Sequence, residues 1–359
     1  MTQRKSSLMV SRKAILHNAQ AVRRLTTKRM IAVIKENGYG IGLENVYRIL
    51  YSSGIDFFAV GAAWEAMKLR QLGFEGEILL LTPEYSPEIC RQLIQEHVLF
   101  MLGNPCQAEV LQKACQGTTL CPRVHLKIDT GLGRYGFSWK SLSGAIYCTV
   151  NMEVEGVYTH FSSTGKDFRS TIRLQKERFD SALQELAKHH IPLRFLHASA
   201  SRTLAELGDL GYDGVRIGSL FLGRETANHS DFHDAVWLET AICDRKWYPA
   251  GELVGYGRTV KLKRDTLLGV AAAGCGDGLG ISRSRQGTLP LLRQAVKQAL
   301  YPRTTCASTV NGRSIPILES QGVSHTLLDL TDTPLSIGSL VRFPINPLLL
   351  SSSVNRIIC

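Results

Sequence analysis

No stretch of the 359-residue chain approaches the roughly 18 consecutive apolar residues that a membrane-spanning helix needs. The opening MTQRKSSLMVSRKAI carries charge but neither an apolar run nor a small-residue cleavage site, so no secretory signal peptide is expected. Glycine (32) and proline (12) are at ordinary levels, which excludes collagen-like and low-complexity classes. Basic residues outnumber acidic ones to give +11, yet no dense run of five occurs. A spread charge of this kind supports neither nucleic-acid nor membrane binding and suits a small anionic ligand. The nine cysteines form no paired metal motif and no compact secreted framework, so no metal site is expected and the thiols are read as reduced. A cytoplasmic globular protein is the expectation.

What is present is alternation. Short β-rich runs, MIAVIK (30–35), FFAVG (57–61), EILLL (77–81), LFMLG (99–103), RVHLKID (123–129), EGVYTHF (155–161), RFLHAS (194–199) and GVRIGSL (214–220), are separated by amphipathic helical segments. Helices are predicted over 42–54 and 168–190, and after Ser86 as a cap. Eight such units in under 230 residues are the arithmetic of a (β/α)8 TIM barrel. A doubly wound sheet is the rival, but the turn after the first strand reads KENGYGIG and lacks the GxGxxG of a dinucleotide fold. Lys35, Lys127, Asp129, His160, His197, Ser199 and Arg216 stand at strand ends, where either fold builds its ligand site.

From about residue 236 the pattern changes to short β-like runs: VGYGRTVKL, TLLGVAAAG, TTCASTVNGRSIPIL, HTLLDLT and SLVRFPI. The expected organisation is therefore a barrel over 1–235 and a C-terminal mostly-β domain over 236–359, with a helix at 286–300 and a loose or edge-strand tail.

A lysine emerging from an apolar strand at a barrel mouth, like Lys35, can lose its proton by desolvation and form a Schiff base. The competing reading is a solvated strand-end lysine. Tyr39, between Gly38 and Gly40, can bond a phosphate. Phosphate in barrels commonly sits near the loops after strands seven and eight, which points to Ser201, Gly218 and Ser219. Ser201 could equally be a plain helix cap. Arg216 alternates onto the face of Gly218, where it can meet the ring nitrogen of a pyridine running from the phosphate to Lys35.

At these residues the sequence resembles the pyridoxal-phosphate alanine racemases, over about residues 8 to 343. IAVIKENGYGIG is similar to the family's AVVKANAYGHG, which implies the Schiff-base lysine at Lys35 and a phosphate-binding tyrosine at Tyr39. LKIDTGLGRYGF resembles KxDTGMGRxG, which implies the arginine beside the cofactor's phenolic oxygen at Arg134 and the lysine that can be carbamylated at Lys127. Thr159-His160-Phe161 matches THF, implying that His160 stands behind the ring-nitrogen arginine, Arg216. Ser201, Gly218 and Ser219 fall on the phosphate-binding positions. Gly255-Tyr256-Gly257 resembles SYG, implying that Tyr256 is the second catalytic base, supplied across a homodimer with shared active sites. The resemblance thus implies pyridoxal 5'-phosphate as cofactor, a small amino acid as substrate and D-alanine supply as role.

An unperturbed tyrosine hydroxyl, with a pKa near about 10, needs positive neighbours to act as that base. An arginine opposite the ring nitrogen keeps it unprotonated, which favours racemisation over transamination; the related barrel decarboxylases place an acidic residue there. Departures from the family gather in the C-terminal half. Cys275 stands where a substrate-side tyrosine is usual, and a thiol is a poor donor. Val323 and Ser324 replace a methionine and an aspartate, leaving a backbone N–H at Val323 for a substrate carboxylate, and the closing RVPRxY is missing. Two further readings follow: a racemase of serine or larger amino acids, or a pyridoxal-phosphate carrier or regulatory protein with little racemase activity.

Overall fold

A computed structural model of the protein describes residues 6–162, 167–224, 231–281, 306–318 and 322–359. The chain divides into two compact units, Arg12–Ala235 and a second made of Met1–Ser11 with Val236–Cys359.

The first unit is a closed parallel barrel. Arg29–Val33, Phe57–Val60, Glu77–Leu80, Leu99–Leu102, Arg123–Asp129, Glu153–Tyr158, Leu196–Ala200 and Gly214–Ile217 pair in that order. The last pairs with the first, through Arg216 opposite Ile31, so no edge remains. Phe57–Val60 and Leu99–Leu102 are buried at every position, as strands covered on both faces must be. The helices start where local chemistry directs. Ser86 Oγ accepts the Ile89 amide at 3.2 Å and Asn104 Oδ1 the Gln107 amide at 2.9 Å, each ahead of a proline in the first turn. The segments predicted over 42–54 and 168–190 are helical at Leu43–Tyr51 and Phe168–Lys188.

The barrel interior is divided by chemistry. Ile31, Val33, Phe57, Ala59, Leu79 and Leu99 form an apolar cluster. His125, Lys127, His197 and Arg216, all nearly inaccessible, lie on the other strands. At the N-terminal ends of the strands Arg123 is paired to Glu77 at 3.0 Å and to Glu155, which ties three strands together.

In the second unit the 13-residue strand Val236–Tyr248 is the spine. Its first half pairs with Ser6–Val10 and Leu340–Phe343, and its second half, beyond a register shift at Ile242, with Thr266–Ala271. Ser6–Val10 opens the chain yet belongs to this sheet, because only there are both its edges paired. Asn355–Ile358 is an edge strand, parallel to Ser6–Val10. Cys306–Thr309 and Ser314–Pro316 form a hairpin whose turn places Gly312 at φ +82. The VGYGRTVKL run is not one strand: Leu253–Val254 and Val260–Lys261 pair around a short turn at Tyr256–Arg258, because Gly255 and Gly257 take φ of +83 and +69. The helix predicted over 286–300 lies outside the described residues.

Candidate active site

Lys35 follows the first barrel strand and opens a rare piece of backbone. Glu36, Asn37 and Tyr39 have φ of 56°, 54° and 56°, with Gly38 between at 64°. The amides of Gly38 and Gly40 reach back to the carbonyls of Ile34 and Glu36 at 2.9 Å, so this is one turn of left-handed helix. Such a turn costs roughly 1–2 kcal/mol for each residue bearing a Cβ. Glycine at 38 avoids that cost, and an added Cβ there would also lie 2.6 Å from Val46 Cγ1. Asn37 ties the exit by accepting the Leu43 amide at 2.8 Å on Oδ1.

The turn delivers Tyr39 to the end of the neighbouring last strand, Gly214–Ile217. A Cβ built on Gly218 would lie 2.2 Å from the Tyr39 hydroxyl, so glycine is what lets ring and backbone meet. Ser201 Oγ accepts the Gly218 amide at 3.1 Å. Ser201 therefore does not cap the Ser201–Leu207 helix; the cap residue is Ala200, which has no side-chain bond to offer. The Tyr39 and Ser201 hydroxyls, the Gly218 backbone and the adjoining half-buried Ser219 thus line a cradle that a side chain at 218 would fill. That cradle fits a phosphate monoester.

Arg216, 3% exposed, is fixed from all sides by neutral acceptors. It donates to His197 Nδ1 at 2.9 Å, to His160 Nδ1 at 3.1 Å and to the carbonyls of Thr159, His197 and Ala198. Its guanidinium lies 4.9 Å from the centre of the Tyr158 ring, which stacks on His197. Burial lowers its pKa to about 10, so it stays charged at neutral pH. Behind it His197 lies 2.8 Å from His125, nitrogen to nitrogen. Burial first, then the Arg216 charge, drives the His197 and His160 pKa values well below 6.5. Burial and the Arg123 charge take His125 down to about 3.

Lys127 is 4% exposed and donates from Nζ to the Arg134 carbonyl at 2.6 Å. Burial, then Arg134 and Arg216, bring its pKa down to about 7 against the weaker opposing pull of Asp129. The Asp129 carboxylate is turned toward its own loop, where it accepts the amides of Gly131, Leu132 and Gly133 at 3.0, 2.9 and 3.2 Å. Arg178 holds the same loop through the Thr130 carbonyl at 2.9 Å. Arg134 itself is exposed at the end of that loop.

In the C-terminal unit Tyr256 is 83% exposed and Val323 72%. They are nonetheless neighbours: a Cβ on Gly322 would stand 3.6 Å from the Tyr256 ring. The amides of Cys275 and Gly276 donate to the carbonyls of Gly322 and Val323, both at 2.8 Å. Tyr256, half-buried Cys275 and Val323 therefore form one patch on this unit. Lys35, Tyr39, Lys127, Arg134, His160, Ser201, Arg216, Gly218 and Ser219 all belong to the barrel unit.

Glu65 and His125 are prominent here and escaped the sequence reading. Lys127 is an inward residue of its strand, and period two puts His125 on the same face, which was the available signal. Glu65 stands three residues after the helix-preceding Ala62, the position of a capping-box carboxylate.

The chain matches two family models, the alanine racemase N-terminal domain over residues 10–225 and the alanine racemase C-terminal domain over 235–338. It is 30% identical over 342 residues to the alanine racemase of Aquifex pyrophilus, spanning 94% of this chain and 88% of that protein. It is 30% identical over 291 residues to a serine/alanine racemase of Enterococcus gallinarum, spanning 77% of this chain and 40% of that protein. The alanine racemase of Streptomyces lavendulae superposes with a TM-score of 0.83 at 21% identity, covering 100% of this chain and 98% of that one.

Proposed function

From the premise that the chain belongs to the alanine racemase family and is an enzyme of the pyridoxal-phosphate-dependent amino-acid racemase class, we propose that it interconverts L- and D-alanine. The observation that carries the reading is Arg216, a buried, charged guanidinium whose hydrogen bonds all run to neutral acceptors. Such a donor presents a proton it will not give up to any nitrogen in front of it, and so keeps that nitrogen unprotonated. The cradle of Tyr39, Ser201, Gly218 and Ser219 fits the phosphate of pyridoxal 5'-phosphate, Lys35 is the amine for its aldehyde, and His160 fixes Arg216 from the mouth side. When bound, the cofactor supplies an electron sink that makes the substrate's α-proton acidic.

The remaining work falls to side chains. Lys35 takes or returns the α-proton on one face and Tyr256 does so on the other. Tyr256 is contributed by a second copy of the chain, a role that suits its exposure at the C-terminal unit's surface. Arg134 supplies positive charge to the substrate end of the site, and the Val323 amide and Cys275, on the same patch as Tyr256, come to it from the second copy. Lys127, with a pKa of about 7, is substantially neutral at physiological pH. Its amine can add to CO2: the N–C bond forms, one C–O π pair moves to oxygen, and a proton leaves. Such a carbamate would carry a negative charge that the Arg134 and Arg216 charges, which lower the lysine's pKa, would favour.

A second reading, racemisation of serine, is favoured by Cys275, whose small thiol leaves room for a hydroxymethyl group. The test is incorporation of deuterium at the α-carbon in D2O, with the cofactor and each L-amino acid in turn, followed by chiral analysis. Exchange with inversion of alanine is the expected result, and faster inversion of serine would assign the second reading. No exchange with any amino acid would overturn both.

A further inference from the structure

We propose that Glu65 is a positioning residue for Lys35 and Tyr39, the clamp that holds the left-handed turn between them in place. The inference rests on the reading that those two side chains hold the cofactor.

Glu65 is 1% exposed. Its carboxylate is satisfied by backbone amides from two successive strand-end loops. Oε2 accepts Gly61 at 2.7 Å and Ala62 at 3.1 Å, beside the second strand, and Oε1 accepts Asn37 at 2.7 Å, in the middle of the left-handed turn. Bonding Ala62 alone would be ordinary helix capping. The Asn37 bond is different, because it spends a buried charge on a neighbouring loop whose backbone is held in a disfavoured conformation. Gly61 stands close to both side chains: a Cβ on it would lie 3.1 Å from Lys35 Cβ and 3.5 Å from Glu65 Oε2. Released from Glu65, a turn containing Glu36, Asn37 and Tyr39 at positive φ would relax toward ordinary backbone. Lys35 at its start and Tyr39 at its end would then lose their common register. Amide donors aimed at a carboxylate make the strong, charge-assisted kind of bond, and a glutamine would turn its own N–H2 toward one set of them.

The test uses the full chain and two variants. Glu65→Gln removes one acceptor, and Glu65→Asp shortens the reach to Asn37 while leaving an acid for the local cap. In the cofactor-free protein, amide hydrogen exchange at Asn37 should accelerate by about tenfold or more in both, the order expected for one lost charge-assisted bond. Pyridoxal phosphate affinity, read from the visible absorbance of the lysine-bound cofactor, should weaken in parallel. Adding Glu36→Gly to Glu65→Gln should restore part of that affinity, because glycine takes positive φ without strain. Unchanged Asn37 exchange in a folded Glu65→Asp protein would overturn the proposal, as would failure of Glu36→Gly to restore any affinity. A Lys35→Ala chain that still develops the visible band would overturn the cofactor reading instead, and would leave the exchange result standing.

Discussion

Arg216 Nη1 lies 2.9 Å from His197 Nδ1, and that contact settles the protons of two buried histidines. A guanidinium only donates, so His197 Nδ1 is an acceptor and its proton is on Nε2. That proton points at His125 Nδ1, 2.8 Å away, which must in turn accept and place the His125 proton on its own Nε2. The direction of the whole chain is thus set by one arginine.

Replacing His125 by phenylalanine keeps a ring in place but leaves the His197 Nε2–H without a partner. We expect a loss of about 1–3 kcal/mol in unfolding free energy, and a smaller one for His125→Asn, which retains an acceptor near Nδ1. Urea denaturation of the two variants checks the order, and the imidazole nitrogen spectrum of His197 reports its tautomer.

Both histidines also govern acid stability. Their folded pKa values lie below the unfolded value of about 6.5, with His125 at about 3, so the unfolded chain binds more protons in between. Stability should therefore fall as pH drops from about 6.5 toward 3, by up to about 1.4 kcal/mol per pH unit per histidine. Urea midpoints measured across that window should decline less steeply in His125→Asn than in the parent chain.

Gly218→Ala tests the phosphate cradle. The backbone there, at φ −136, lies outside the left-handed region, and the nearest obstacle to an added Cβ is the Tyr39 hydroxyl. The new methyl would displace the Tyr39 hydroxyl, and pyridoxal phosphate affinity should fall by about tenfold or more, the worth of one bond to a charged group. An absorbance titration measures it.

Lys127 should carry a CO2 adduct at neutral pH. With 13C-labelled bicarbonate we expect a carbamate carbon signal that disappears in Lys127→Met and on acidification, because a protonated carbamate loses CO2. Racemase turnover in CO2-depleted buffer should drop and recover on adding bicarbonate.

Tyr256→Phe should keep α-deuterium exchange on the lysine side while slowing inversion by about 10²–10⁴-fold, the usual worth of a positioned acid–base group. Chiral chromatography of the exchanged amino acid separates the two. Mixing this variant with Lys35→Ala should restore part of the activity, since a hybrid pair of chains retains one intact set of both groups.

How far these features can be read from the chain alone differs residue by residue. The barrel was legible because its signal is local and repeated: eight short apolar runs, each followed by a helical period, with polar residues at their ends. DTGLGR and GYG were picked out only by their resemblance to the family's motifs; the structure adds that Gly133 and Gly255 in them take φ of +72 and +83. The cap at Ser86 is equally local. Tertiary structure decided what depends on partners distant in sequence. Ser6–Val10 is a strand of the C-terminal sheet because its edges are paired there, with residues from Val236 onward. Ser201, a plausible cap by its neighbours, instead takes the amide of Gly218. Glu65 reads as a helix-capping acid until the fold brings the Asn37 amide to its second oxygen. For His125 the strand period marks only an inward face, and its proton is placed by an arginine 91 positions later, through His197. Backbone conformation follows from neighbours in sequence, whereas the state of a buried polar group follows from whichever atoms the fold leaves beside it.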